Sequence, residues 1–424
     1  MRIDAAVVLT PDGALTDASV VVDDGTVTWV GPTAAAPDDD RGVAAGHGAL
    51  APGLVDAHTH LGLSFARALG PIDGHPVYDL FWPLERALDP DLVEAFAAVS
   101  AAEALLSGTT TVADHYFFAD ASVAATSALG LRSVVGETII VLDGPWAGTE
   151  TLDRGVDFVE RHRDTPLVHP LLAPHALDTV GDDVMRDIVA ESARLDVPIH
   201  LHVAQSEREV ATVLEACGTG SIERLADLDV FDRRVIAAHC MYAEPAGLDL
   251  LTETSNVTAV YCPTVHAHLG RSLRAGWLRS RGARVGLGTD AVPMQRRDLM
   301  SEVRSASALQ AVLEDDADAL PLADALSMAT QVNATAVGLG DVVGSIEIGR
   351  RADLVLHRLD SAFTSTWRDA ASLVTTSGPA TVDKVWVDGA LVVDEGRLTR
   401  ADERRLVADA AAAHDELFSR VPGL

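Results

Sequence analysis

The chain has 424 residues, of which 48% are hydrophobic, and a formal net charge of −31. This length and apolar content suffice for one large domain with a smaller one beside it. Because the phosphates of nucleic acids and of anionic lipids bind Lys and Arg, the acidic excess argues against nucleic acids and membrane surfaces as partners.

Residues 1–52 are predicted to form short strands. One strand covers 3–9, and strands at 18–22 and 27–30 flank an Asp-Asp-Gly turn, as in a hairpin. The Ala-, Asp- and Gly-rich stretch 32–48 is predicted to be a loop.

Over residues 53–342, short apolar stretches alternate with longer helical ones. Eight strands are predicted, at 54–58, 109–115, 132–140, 167–175, 197–203, 235–240, 256–264 and 283–290. Helices are predicted between most of them, for example at 90–107, 182–195, 207–217, 245–252 and 272–281. Uniformly apolar strands that alternate with helices indicate a buried parallel sheet. Eight such units in about 240 residues predict an α/β fold of the (β/α)8 barrel type.

Helices at 298–313 and 320–337 follow, and short strands return at 352–357 and 384–394. A terminal amphipathic helix covers 401–420. Because both ends of the chain are rich in strands, we predict a small β-sandwich domain built from residues 1–52 and 343–424, with the barrel between them.

Cysteine usage and the opening stretch bear on the compartment. Cys217, Cys240 and Cys262 form no Cys-x-x-Cys pair, so a disulfide framework is not expected and a reducing cytoplasm fits. The opening residues lack the layout of a signal peptide, and no apolar run reaches the ~18 residues of a membrane-spanning helix.

Polar side chains stand at the ends of most predicted barrel strands, where active sites of such barrels lie. His58 and His60 share one face of the first strand because they are two residues apart. The other strands end in the following residues: Asp114 and His115, Glu137, His175, His202, His239, Cys262 to His266, and Asp290. One such residue is commonly structural, but six or more of eight strands predict a single converging site.

Four of these residues can complete a metal site: His58, His60, a strand-five histidine and Asp290. On strand five, His200 and His202 share a face, and position favours His202. Three imidazoles and a carboxylate leave room for a water, whose pKa a zinc ion lowers toward ~7. Asp290 is the expected carrier of that water's proton. His239 is expected to hydrogen-bond the water or the oxyanion, unless it is a buried histidine satisfied elsewhere.

The chain resembles the amidohydrolase superfamily, in the branch of cytosine, guanine and S-adenosylhomocysteine deaminases and triazine hydrolases. The matching stretches are PGLVDAHTHL (52–61), SGTTTVADHYFF (107–118), LLAPHALDTV (171–180), PIHLHVAQSEREV (198–210), AAHCMYAEP (237–245), VYCPTVHAHLG (260–270), LGTDAVP (287–293) and ATQVNATAVGLGDVVGSIEIGRRADLVL (329–356). The resemblance implies a (β/α)8 barrel with a sandwich from both termini and one divalent metal ion, usually zinc or iron; a homodimer is compatible with it.

The resemblance also implies roles for individual residues. The metal ligands would be His58, His60, His202 and Asp290, with Asp290 also the general base and His239 assisting. Substrate-binding residues would be His175, Glu85, Trp82, Arg67 and His115. Structural alternatives stay open, because Trp82 also fits a core position, and Arg67 and Glu85 also fit a surface ion pair. No Lys lies between residues 53 and 340, which excludes the carboxylated lysine that bridges two metals in other members.

One departure from the branch is Gln205, which stands where a glutamate usually protonates the substrate ring. An amide donates a hydrogen bond but is no general acid at pH 7. Either Asp290 then handles both proton transfers, or Glu207 or His175 substitutes, or the substrate needs no ring protonation.

We therefore predict a metal-dependent aminohydrolase that acts on a small molecule. Metal-bound hydroxide would attack an amino-bearing carbon of a purine, pyrimidine, pterin or triazine ring and release ammonia. The alternative is hydrolysis of another C–N or C–Cl bond, as in a cyclic amide, imidazolone, substituted urea or chlorotriazine. A non-catalytic scaffold is disfavoured because all four candidate ligands are present.

Overall fold

A computed structural model describes residues 1–37, 42–68, 75–291, 296–364, 372–373 and 376–422. Strands are numbered β1 to β17 in chain order. Two sets of them matter for the site, a central parallel set and a mixed sheet made by the two ends of the chain. Across the described ranges, no helix has the length and apolar character to cross a membrane.

The central strands are all parallel to one another and uniformly buried along most of their length. They are β5 (Leu54–Thr59), β6 (Thr109–Tyr116), β7 (Arg132–Ile139), β8 (Val168–Pro170), β9 (Ala173–Pro174), β10 (Ile199–Val203), β11 (Val235–His239), β12 (Val257–Tyr261) and β13 (Arg284–Leu287). One sheet has the order β5-β6-β7-β8, with β9 beside β7, and the other has the order β10-β11-β12-β13. Single parallel bridges join the sheet edges at Leu172 with Ile199 and at Thr59 with Asp290. The fold is thus α/β with mostly parallel central strands.

The mixed sheet contains eight strands drawn from both ends of the chain. They are β1 (Arg2–Thr10), β2 (Gly13–Asp23), β3 (Thr26–Pro32), β4 (Val43–Pro52), β14 (Leu354–Arg358), β15 (Val382–Val387), β16 (Ala390–Asp394) and β17 (Arg397–Leu398). Their order is β17-β16-β15-β14-β4-β1-β2-β3, so the pairing of β14 with β4 joins the two ends.

Helices lie between the central strands and at the C-terminal end. The α-helices are Trp82–Glu85, Pro90–Leu106, Ala119–Leu129, Glu150–His162, Leu177–Val180, Asp182–Leu195, Glu207–Cys217, Ser221–Asp227, Pro245–Glu253, Pro263–His268, Ala275–Ser280, Leu299–Leu313, Leu322–Ser327, Asn333–Ala336 and Glu403–Arg420. Short 3-10 segments cover Thr33–Ala35, Leu61–Ala68, Val230–Asp232 and Pro379–Thr381, and π-type turns cover Pro76–Phe81 and Met328–Val332.

The predicted loop at 32–48 is wrong in part, because Val43–Pro52 is a strand that pairs with β1 and β14. After Val43 its Ala/Gly-rich start lacks the β-branched residues that mark strands, and tertiary pairing overrides that weak propensity. The rest of the loop prediction includes 38–41, which lie outside the described residues. The single helix predicted at 320–337 is instead interrupted by the π-type turn Met328–Val332.

A buried ion pair ties the parallel strands to the mixed sheet. Arg132, at the start of β7, donates from Nε and Nη2 to the two carboxylate oxygens of Asp353, at 3.1 and 2.8 Å. Asp353 also accepts a hydrogen bond from the backbone N–H of Asp388, at 2.8 Å. Such a bidentate pair holds a fixed geometry, and removal of one partner leaves an uncompensated buried charge.

Replacing Asp353 by Asn is expected to lower the free energy of unfolding by about 3 kcal/mol, the lower end for a broken buried pair. Arg132 then keeps only the partly exposed carboxylate of Asp388, 3.2 Å from Nη2, as its counter-charge. The urea midpoint of the purified variant measures this. Asp183→Asn is the matched control, since Asp183 pairs with Arg186 on the surface and its side chain is 99% exposed. An equal shift in both variants would contradict a special role for the buried pair.

Candidate metal centre and active site

Four donor atoms converge at the carboxyl ends of the parallel strands. His58 lies on β5, His60 follows it, His202 lies on β10, and Asp290 follows β13. The Nε2 atoms of His60 and His202 are 3.3 Å apart. Asp290 Oδ1 lies 3.3 Å from His60 Nε2 and 3.4 Å from His58 Nε2. The candidate ligands are therefore brought together from three strands.

The hydrogen bonds of His60 and His202 show which ring nitrogens are free to bind a metal. His60 Nδ1 is 2.6 Å from the carbonyl oxygen of His115, and His202 Nδ1 is 2.8 Å from that of His175. Carbonyl oxygens only accept, so each Nδ1 carries the proton and each Nε2 is bare in the neutral ring.

Two bare nitrogens that face each other repel unless a cation lies between them. Nitrogens bound tetrahedrally at 2.0–2.1 Å from zinc lie about 3.3 Å apart, which is the spacing of His60 and His202. His58 Nε2 is also buried and has no hydrogen-bond partner in the described part of the chain. The donor set fits a divalent metal.

His200 lies behind the metal ligands rather than among them. Its Nε2 is 2.8 Å from His58 Nδ1, and the side chain is fully buried. The two strand-five histidines differ in what they contact. His202 faces His60, whereas His200 contacts His58 from the deeper layer.

Asp290 is held in an unusual backbone conformation at this site. Its φ is +55°, and its N–H donates to the carbonyl oxygen of His58 at 2.9 Å. Gly288 allows this approach, because a Cβ there would lie 2.7 Å from the same carbonyl oxygen. Burial alone would raise the pKa of Asp290, but His239 and the other facing imidazoles outweigh it and hold the pKa well below its usual range.

Two buried charged residues that the sequence patterns did not single out position these ligands. Arg297 is 1% exposed and donates to the carbonyl oxygens of His60 and Asp290. Asp56 accepts from the backbone N–H and the hydroxyl of Thr289, immediately before Asp290. The HTHL motif and the helical pattern after 298 give no signal for Arg297, because its partners are backbone carbonyls 237 and 7 residues away.

An open pocket lies above the candidate metal centre. Its floor includes His60, His202, His239 and Asp290. Its walls are largely aromatic and aliphatic, formed by Leu63, Val77, Phe81, Trp82, Tyr116, Phe117, Met241, Val265 and Leu269. An apolar pocket with a few polar groups at one end suits a heterocyclic ligand.

Four of the predicted substrate-binding residues line this pocket: Trp82, Glu85, His115 and His175. Burial raises the pKa of Glu85 to about 7 and lowers that of His175 to about 3. Both ring nitrogens of His115 are buried and lack hydrogen-bond partners among the described residues. Glu85 is therefore not the surface partner of Arg67.

Arg67 does not line this pocket. Its guanidinium pairs with Glu103, and its side chain is 42% exposed. Glu207, one of the residues considered as a replacement acid, is also exposed and pairs with Arg271. The segment 69–74, which follows Arg67, lies outside the described residues.

Gln205 lines the pocket beside His202, and its Nε2 is buried without a hydrogen-bond partner in the described structure. Glu209 fixes the backbone at this point, because its carboxylate accepts the N–H groups of Ala204 and Gln205, each at 2.8 Å. Burial raises the pKa of Glu209 to about 7. The amide is thus held at the pocket wall with a free donor.

Two acidic strand-end residues serve the backbone instead of the pocket. Glu137 accepts the N–H groups of Phe118 and Ala119 at the start of a helix, at 3.3 and 2.7 Å. Asp114 accepts the N–H of Leu61 at 2.7 Å. Glu137 and Asp114 therefore do not join the polar strand-end residues that line the pocket, because they satisfy buried N–H groups.

The fold and this donor set define a metal-dependent hydrolase. A family model described as the Amidohydrolase family matches residues 49–392. The chain belongs to the amidohydrolase family, which confirms the predicted superfamily and the prediction of an enzyme.

Relatives in this family cover nearly the whole chain. A 5-methylthioadenosine/S-adenosylhomocysteine deaminase from Desulforudis audaxviator is 31% identical over 414 residues, 95% of each chain. A 5'-deoxyadenosine deaminase from Methanothermobacter thermautotrophicus is 31% identical over 413 residues, 96% of each chain. The solved structure of a zinc-bound adenosine deaminase from Xanthomonas campestris has a TM-score of 0.93 and 32% identity, and the match covers 99% of this chain and 98% of that one.

Replacing His202 by Asn is expected to abolish stable zinc binding, because one of three converging imidazoles is lost. Zinc content after dialysis, measured by mass spectrometry, tests this directly. Excess zinc should raise the melting temperature of the wild type but not of the variant, since only a bound ligand stabilises the folded state. His268→Asn, at an exposed histidine outside the pocket, should keep its zinc; if both variants kept theirs, His202 would not be a ligand.

Proposed function

We propose that this chain is a zinc-dependent deaminase of adenosine-type nucleosides. The observation that carries the proposal is the convergence of three imidazoles and one carboxylate on one point at the floor of a pocket. The names of the most similar relatives support a 6-aminopurine ring as the reacting group.

We further infer that the two parallel sheets form one (β/α)8 barrel, which spans residues 53–342. The bridges at both sheet edges support this, because they link β5 to the residue after β13 and the β8–β9 segment to β10. The mixed sheet would then belong to a separate β domain made from 1–52 and 343–424. A reducing compartment such as the cytoplasm suits the three free thiols.

His58, His60, His202 and Asp290 would hold one zinc ion. When bound, zinc would lower the pKa of a water molecule toward ~7 and make it a nucleophile at neutral pH.

The side chains around this point have separate tasks in the reaction. Asp290 takes a proton from the attacking water and delivers it to the leaving amino group, so that water adds to the ring carbon, the C–N bond breaks and ammonia leaves. His239 donates a hydrogen bond to the oxygen that is added to that carbon. Gln205 donates from Nε2 to a ring nitrogen and fixes the ring without transferring a proton.

The pocket walls would orient the nucleoside. Trp82 and its apolar neighbours cover the faces of the base, while Glu85, His115 and His175 offer hydrogen bonds to its polar edges or to the sugar. Because Arg67 is paired with Glu103, we do not include it among the substrate contacts.

Ammonia release tests the proposed function. Zinc-loaded protein at neutral pH is supplied with adenosine, 5'-deoxyadenosine, 5'-methylthioadenosine and S-adenosylhomocysteine, and in parallel with aminopyrimidines, pterins and triazines. We expect ammonia and the matching inosine-type product from the purine nucleosides. Asp290→Asn should lower the rate by about 10²- to 10⁴-fold, because the proton carrier is lost.

A purine nucleoside that is bound but not deaminated would count against the proposal, as would Asp290→Asn with full activity. Chloride, an alkylamine or a ring-opened product from another class of substrate would favour the alternative hydrolyses that Gln205 permits.

Replacing Gln205 by Leu is expected to reduce kcat/KM by about 10- to 100-fold, a loss of ~1–3 kcal/mol, because a ring nitrogen then faces no donor. The side-chain volume is similar, so the pocket shape is kept. Steady-state kinetics with the best nucleoside measure the loss. Unchanged kcat/KM would show that the amide does not contact the substrate.

A further inference from the structure

His239 and His266 form a buried pair at the edge of the candidate active site. His239 Nδ1 lies 3.2 Å from His266 Nε2, and the two residues are 5% and 0% exposed. His239 follows a sharp backbone turn, with φ at +76°. His266 lies on the helix Pro263–His268, so the contact joins the end of β11 to the segment after β12.

A contact between two neutral imidazoles needs one proton between the facing nitrogens. Either His266 Nε2–H donates to His239 Nδ1, or His239 Nδ1–H donates to His266 Nε2. Both rings are buried, which favours their neutral form. The two arrangements give His239 opposite properties at its other nitrogen, a donor in the first case and an acceptor in the second.

The surroundings of His266 distinguish the two arrangements. Its Nδ1 is buried and has no hydrogen-bond partner among the residues described. In the first arrangement this atom is a bare acceptor, whereas in the second it is a buried N–H without an acceptor. Orphaned buried N–H groups are rarer than unsatisfied acceptors.

The surroundings of His239 favour the same arrangement. One ring nitrogen of His239 lies within 4.8 Å of a ligand atom of Asp290 and of His58. A proton on the nitrogen that faces the site is attracted by the Asp290 carboxylate, whereas a lone pair there would be repelled by it.

We infer that His266 is a positioning residue, whose Nε2–H donates a hydrogen bond to His239 Nδ1. The proton of His239 is then on Nε2, where it can donate to the oxygen that is added to the ring carbon. In this arrangement His239 cannot act as the base, and Asp290 alone carries the proton. The inference deepens the proposed function and rests on it for its kinetic consequence, but the tautomer of His239 can be measured without any substrate.

The first test is spectroscopic. Protein labelled with ¹⁵N-histidine, both metal-free and zinc-loaded, is examined by long-range ¹H–¹⁵N correlation, with His239 assigned from a His239→Gln variant. We expect the Nε2–H tautomer for His239 in the wild type and in His266→Gln, whose side-chain amide still offers an N–H. In His266→Leu we expect a mixture or the Nδ1–H form. An Nδ1–H form in the wild type would overturn the inference.

The second test is kinetic. His266→Leu should lower kcat by about 10- to 100-fold with little change in KM, the size of effect seen when a partner that orients an active-site histidine is lost. His266→Gln should restore most of the rate. His268→Gln, an exposed histidine on the same helix, is the matched control and should behave as the wild type. Equal kcat in His266→Leu and the wild type would contradict the positioning role.

Metal stoichiometry separates this inference from another use of the same groups. His239, His266 and Cys262 have ligand atoms within 4.8 Å of one another, which is also compatible with a second metal. We expect one zinc per chain in the wild type and in His266→Leu. Two zinc ions in the wild type and one in the variant would overturn the inference, because a metal ion and not a hydrogen bond would then join His239 to His266. If no nucleoside is deaminated, the proposed function is contradicted. The tautomer of His239 still tests the role of His266, because that measurement needs no substrate.

Discussion

The facing pair of bare nitrogens on His60 and His202 is the interaction on which the site depends. Each ring donates its only N–H to a backbone carbonyl oxygen. The two Nε2 atoms, which carry the lone pairs, are buried and 3.3 Å apart. This arrangement costs free energy unless a cation occupies the gap. The carboxylate of Asp290, equally close, makes the point favourable for a divalent ion.

The protein maintains this geometry with backbone contacts rather than with flexible loops. His115 and His175 supply carbonyl oxygens, Asp290 bonds to the carbonyl of His58, and Arg297 holds two further carbonyls. Because these carbonyl groups lie on or just after strands, the sheets hold the candidate ligands in place. Ligands whose protons are fixed by such contacts are oriented before the metal arrives.

The pKa values of the titratable groups in the site depend largely on their burial. Burial keeps the pKa of His175, His239 and His266 below the ordinary value, while the carboxyl groups of Glu85 and Glu209 are raised to about 7. Asp290 is the exception, because surrounding imidazoles hold its pKa low. It is therefore the carboxyl group of the site that is ionised at neutral pH and so able to accept a proton, and Gln205 leaves it without the usual carboxyl neighbour.

The sequence by itself determined where the parallel strands lie along the chain and the amidohydrolase family, and it predicted the four residues that we propose as metal ligands. These are local signals, since apolar runs mark buried strands and the spacing of His58 and His60 places them on one face. It did not show that β4 joins the two ends of the chain, because an Ala/Gly-rich stretch has little strand propensity of its own.

Only the tertiary structure decided among residues whose local patterns are alike. His202 rather than His200 faces His60, Glu85 enters the pocket while Arg67 does not, and Glu137 serves a helix start. Arg297 and His266 became visible only through contacts with distant residues. The physical reason is that side-chain direction, burial and proton sharing depend on neighbours brought together by folding, and no single stretch of sequence contains them.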